Sequence, residues 1–245
     1  MKNSWCILLC FCFNSSFGQS VGAQVWGEYF LNFPFATVYN MEYNGTYSTV
    51  FGSPKWRAID NSFTVERAFG AYMDVSLTGL VSYTDQTDTY STLELRPTLG
   101  IHYHIIPHRR VSTRLFVRYE QRHVKDLEDE EWTQTNRIRI RPELLIPFNR
   151  KLFSADKLWY GMVDVEWFAT LDGDQEERFA NRFRTRMGVG YRLNYSLRFE
   201  FVYVLQQSKD TIDEEFKHAD SIFRIRLKQY LRKGKPIKHT LDGDN

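Results

Sequence analysis

Cysteine is confined to the first dozen residues, where Cys6, Cys10 and Cys12 are the three in a chain of 245. A product lacking that segment carries no thiol, which excludes a disulfide scaffold or a cysteine-based metal or redox centre. Proline is scarce, at seven residues, so no proline-rich linker divides the chain. The length fits one large all-β domain better than two small ones. No run reaches the roughly 18 consecutive apolar residues of a membrane-crossing helix, which excludes that mode of spanning. Neither sign of charge prevails, since 32 Lys and Arg stand against 30 Asp and Glu. Nucleic acid as a partner calls for a basic excess on one face, and none is implied. Helical periodicity is almost missing after Ser20.

What is present begins with a targeting pattern. Lys2 supplies positive charge, Trp5 to Phe13 form a short apolar stretch, and Ser16-Phe17-Gly18 places small residues at −3 and −1 of a cleavage site before Gln19. A signal peptide over 1–18 is expected. The apolar stretch is too short for an anchor helix. A lipoprotein signal is rejected, because Leu9 precedes Cys10 and Phe11 precedes Cys12 where a small residue is required.

Beyond the leader the chain alternates. Thr113, Leu115, Val117 and Tyr119 fall on one face of an extended segment, with Arg114, Phe116, Arg118 and Glu120 on the other. Ile138 and Ile140 alternate with Arg137, Arg139 and Arg141. Phe183, Thr185, Met187, Val189 and Tyr191 alternate with Arg182, Arg184, Arg186 and Arg192. Leu197, Phe199 and Phe201 alternate with Arg198 and Glu200, and Phe223, Ile225 and Leu227 with Arg224, Arg226 and Lys228. A half-buried soluble sheet also alternates. Three further features point to lipid on the apolar side: aromatics near the segment ends, segments about 10 to 15 residues long, and connections that alternate between short turns and longer acidic loops. The short phase holds 68–71, 106–110 and 192–196, with 147–156 longer but in step. The loop phase holds 85–90, 125–131, 172–177 and 209–218.

Eleven such segments can be delimited, starting at Val25, Val38, Arg57, Tyr72, Ser91, Val111, Trp132, Leu158, Phe179, Leu197 and Ile222. Bacterial single-chain barrels have even strand counts. The reading is therefore all-β, a closed antiparallel transmembrane barrel over 19–231 with about 12 strands, or 10, and the Pro34 region as the place where the count errs. Residues 232–245 read as a basic, disordered periplasmic tail.

Several motifs follow in order: Gln24-Val25-Trp26-Gly27-Glu28, Thr92-Leu93-Glu94-Leu95-Arg96-Pro97, Arg137-Ile138-Arg139-Ile140-Arg141-Pro142-Glu143, Leu158-Trp159-Tyr160, Asn181 to Arg186, Gly188-Val189-Gly190-Tyr191 and Arg198-Phe199-Glu200. In this order they resemble the uncharacterised outer-membrane barrel family known as domain of unknown function 2490, including its Bacteroidota members. The resemblance covers about 22–231. It implies a fold and a Gram-negative outer-membrane location, with outer-membrane lipids, periplasmic chaperones and the barrel assembly machinery as partners, and no reaction.

Strand parity then sorts the interior. A lumenal charge network is expected from Glu94, Arg96, Arg114, Arg118, Glu120, Arg137, Arg139, Arg141, Glu143, Asp164, Glu166, Arg182, Arg184, Arg186, Arg198, Glu200, Arg224 and Arg226, with Glu28, Glu42, Glu66, Asp74 and Lys228 on the same face. Carboxylates dominate the first part of the chain and guanidinium groups the second. Buried charges need partners, and an Arg fork suits a carboxylate, so a structural or interaction barrel with a paired lumen is one reading. A narrow, charge-selective, porin-like pore is a second. A lipid-modifying enzyme is a third, with His102, His104 and His108 as its candidates. No Gly-x-Ser-x-Gly or His-Glu-x-x-His motif accompanies them, and no catalytic residue, metal ligand set or cofactor is assigned.

Overall fold

A computed structural model describes residues 22–35, 37–51, 56–87, 90–105, 111–171, 182–209 and 216–231. The leader 1–18, the tail 232–245, His108 and the whole 172–177 loop lie outside them. Every regular element among the described residues is a strand: β1 Gly22–Pro34, β2 Tyr39–Phe51, β3 Arg57–Phe69, β4 Met73–Thr87, β5 Tyr90–His104, β6 Ser112–Asp126, β7 Trp132–Pro147, β8 Leu158–Thr170, β9 Arg182–Asn194, β10 Leu197–Lys209 and β11 Phe216–Tyr230. Each pairs with its sequence neighbour, and β1 closes on β11.

The alternation thus delimits the wall strand by strand, while the expectation of an even count does not hold. Pro34 ends β1 and does not mark a false strand. Ten pairings are antiparallel, and β1–β11 is parallel over Gly22↔Asp220 to Asn32↔Tyr230. Odd parity forces that one parallel contact.

The two prolines inside strands show why so few are tolerated. The β5–β6 ladder skips from Leu95↔His123 to Thr98↔Glu120, and the β7–β8 ladder from Ile140↔Trp167 to Glu143↔Asp164. Pro97 and Pro142 sit in those gaps, where a ring without an N–H cannot donate.

The wall separates its faces as the parity reading requires. Leu77, Ile225, Trp167 and Phe201 point outward and are 63%, 60%, 53% and 52% exposed. Glu28, Glu120, Glu166, Glu200, Arg139 and Arg186 point inward and are buried. Apolar side chains share the interior: Leu158, Tyr160, Met162, Val202, Val204 and Ile222 cluster with Phe153, which the β7–β8 connection folds back inside. Arg192 Nη1 donates to the Phe153 carbonyl at 2.5 Å and holds it there.

Inward glycines make room for rings. A Cβ on Gly190 would lie 2.2 Å from Tyr160 Cζ, and one on Gly100 would lie 2.7 Å from Phe116 Cε2 and 2.5 Å from Ser76 Oγ. At the rims the contrast in connection length is weaker than expected. Strands absorb much of three polar segments, leaving 88–89, 127–131 and 210–215 at one end beside the longer 171–181, while 148–157 stands at the other.

Candidate functional site

The densest chemistry sits where β6 to β9 face the lumen. Glu120 on β6 and Glu166 on β8 are 1% and 0% exposed. Arg137 Nε donates to Glu120 Oε2 at 2.5 Å and Arg139 Nη1 to Glu120 Oε1 at 2.8 Å. Arg139 Nη2 reaches on to Glu166 Oε1 at 2.7 Å, and Arg118 bridges the same two carboxylates at 3.1 Å each. Arg186 Nε binds Asp164 Oδ1 at 2.5 Å with Nη2 3.6 Å from Glu166. Glu143 is shared by Arg114 at 2.7 Å and Arg141 at 2.6 Å. Strand register explains the meeting: Arg118↔Arg139, Glu120↔Arg137, Glu143↔Asp164 and Glu166↔Arg184 stand opposite one another on one face. Long forks then reach to the next strand and, from Arg118 to Glu166, to the strand beyond it, which adjacency along a strand cannot reveal.

Two rings serve as platforms for these cations. Arg139, Arg184 and Arg137 lie 4.1, 4.9 and 5.3 Å from the Phe168 centroid. Arg141 and Arg118 lie 4.9 and 5.3 Å from that of Phe116. Quadrupole attraction favours a desolvated guanidinium over such a face.

A second group spans the closing pair. Arg224 grips Glu28 through Nε at 3.1 Å and through a short Nη2 contact, and Arg226 Nε meets the same carboxylate at 2.5 Å. Arg226 also reaches Glu200 at 3.4 Å, which further takes Lys228 at 2.9 Å and the Tyr160 hydroxyl at 2.7 Å. A third group binds Glu94 to Arg96 at 2.6 Å and to Arg122 at 2.8 Å. Arg184 donates to Gln206 Oε1 at 2.6 Å, and Arg198 lies over the Tyr230 ring at 4.6 Å. Arg182 belongs to β9, but its side chain lies outside the described residues.

Parity reading missed three participants. Arg122 sits two residues past Glu120 on the same face, Asp60 accepts Ser82 Oγ at 2.5 Å, and Arg192 holds Phe153. The first two follow from extending the same alternation, by one step from Glu120 to Arg122 and by three from Glu66 to Asp60. The third stands on the charged face of the β9 alternation, but its partner depends on a connection folding inward and leaves no local signal.

The histidines form two separate pairs. His104 Nε2 meets Asp74 Oδ2 at 2.6 Å, and His102 Nδ1 lies 3.3 Å from Glu66 while its ring stacks on Phe116 at 3.8 Å. Among the described residues no group of three or more His, Cys, Asp or Glu could hold a metal ion.

Chemically, this interior neutralises itself. Side chains that fill a lumen at a few per cent exposure leave their ionic groups to one another, and partial replacement of hydration by paired neighbours keeps each charge tolerable.

No match is found among curated proteins. The family model described as Protein of unknown function (DUF2490) matches residues 23–217, which runs from the start of β1 into β11. The match covers the strands that build every ion-paired group above except for the β11 side of the closing pair, and the chain belongs to that family.

Proposed function

We propose that this protein is an integral outer-membrane barrel of a Gram-negative cell, exported by its leader, whose lumen is shut by its own ion pairs. It acts as a structural or interaction scaffold and not as a pore. The observation that carries the reading is the inverted distribution of side chains: oily residues such as Leu77, Ile225 and Trp167 stand outside, and Glu120 and Glu166 are sealed inside. Water as the outer solvent would leave that apolar belt without a partner, whereas acyl chains match it. Closure in one sheet leaves no unpaired edge for the bilayer core to penalise.

A conducting lumen requires hydrated lining groups. Here Arg139, Arg186, Glu120 and Glu166 are removed from solvent, and Phe153, Leu158, Val202 and Ile222 pack beside them. Two measurements test the proposal. The mature chain should fractionate with outer membranes and show heat-modifiable gel mobility. Reconstituted in planar bilayers, it should give no stable conductance steps; sustained charge-selective steps would overturn the shut lumen, and recovery from an osmotic-shock extract without detergent would overturn the location.

A further inference from the structure

The wall has one join unlike the rest. Parallel pairing is slightly weaker per residue than antiparallel, and β1–β11 is the parallel pair among the described strands. On the lumen side that join depends heavily on one carboxylate: Glu28 of β1 is held between Arg224 and Arg226 of β11. Arg226 already has a second acceptor in Glu200 on β10, its neighbour within the same sheet half. Release of Glu28 therefore need not strand that guanidinium. Trp26 adds a cation–π contact to Arg224 at 4.7 Å, and Tyr29 donates to Gln229 at 2.7 Å.

Outside, the same stretch is thinly packed. A depression of about 510 Å³ runs from Ile225 and Leu227 on β11 across β1 to Tyr47 on β2 and Ile59 on β3, with Gly27 and Gly45 in its floor. No atom lies within 4 Å of where a Cβ on Gly27 would sit. The inward Gly100, Gly188 and Gly190 meet neighbouring atoms, whereas outward Gly27, like Gly79 on β4, is open.

We infer that the β1–β11 seam is the place where the wall parts sideways, with Glu28 as the latch that holds it shut. Opening there joins the lumen to the surrounding lipid, so the inference rests on the membrane reading. The access it creates suits an amphiphile entering from the bilayer plane, because Gly27 and Ile225 line the outer side and Arg224 and Arg226 the inner.

Spin labels test it in the mature chain, which on the sequence reading carries no other thiol. One pair sits at Leu31→Cys and Leu227→Cys across the seam. A control pair sits at Leu77→Cys and Leu99→Cys across β4–β5, where the residues stand opposite one another. Folding is verified first by heat-shifted gel mobility in lipid, which fails separately if the membrane reading is wrong. In Glu28→Gln the long-distance population at the seam should rise by about tenfold while the control stays narrow. Arg224→Gln, which leaves Arg226 on Glu28, should give a smaller rise and serves if Glu28→Gln does not fold. A seam as narrow as in the unaltered chain, or equal broadening at both pairs, overturns the latch.

Discussion

Consider Glu166→Gln. Glu166 is fully buried and has Arg139 at 2.7 Å, Arg118 at 3.1 Å and Arg186 at 3.6 Å. The amide keeps the shape and one acceptor oxygen but removes the charge, so four guanidinium groups, with Arg141 at 3.9 Å as the fourth, lose a shared counterion. Removing one partner of a buried pair costs about 3–5 kcal/mol, and the retained acceptor places this change near the lower end, about 3 kcal/mol. Adding Arg139→Met should recover part of that loss, because an apolar side chain of similar length replaces the cation left without balance. The rim pair Arg57–Asp85 supplies the contrast: its 2.7 Å contact has the Arg side chain 65% exposed, so Asp85→Asn should scarcely move the midpoint. Urea midpoints for unfolding from lipid vesicles, read by tryptophan emission and gel mobility, provide the comparison. Equal midpoints for Glu166→Gln and Asp85→Asn would refute the claim that burial makes these charges interdependent.

Two further substitutions probe the packing around the charges. Gly190→Ala drives a methyl into the Tyr160 ring and displaces the hydroxyl from Glu200; overpacking and the lost bond to a charged acceptor together should cost about 2–5 kcal/mol in the same urea assay, and Tyr160→Leu alongside it should restore part of the loss. Phe168→Leu removes the ring shared by three guanidinium groups and should cost about 2–4 kcal/mol, whereas the outward Phe199→Leu should cost clearly less.

Most of the wall was legible because period-two alternation is a local property. Arg182 to Arg192 announce β9, though the segment as read starts three residues early at Phe179, and the Arg137 to Glu143 stretch announces β7. Misjudgement entered where polarity imitates a loop. β11 starts at Phe216 and not near Ile222, since Lys217 and His218 extend the ladder opposite Ser208 and Gln207 across a bulge. Alternation also delimits eleven segments, and only the even-count expectation moves the number off the eleven strands found. Alternation states which way a side chain points and is silent on which strands meet, so the parallel closure of β1 on β11 could not be read from it. The same limit applies to the site. Its members were visible by face, but pairs such as Arg118 with Glu166 or Tyr160 with Glu200 exist only once strand order sets β6 two strands from β8 and β8 two from β10, bringing residues 48 and 40 apart within reach.

An even wall hands both chain ends back to one side; eleven strands cannot. Gly22 starts β1 at the rim of Asp126 and Glu128, and Tyr230 ends β11 at the rim of Arg150 and Lys157. If the barrel spans a bilayer, whatever precedes Gly22 and whatever follows Leu231 emerge into different compartments, whichever way up it is inserted. Fusions at the two ends would then report opposite faces, and one of the two chain ends must be carried across the membrane.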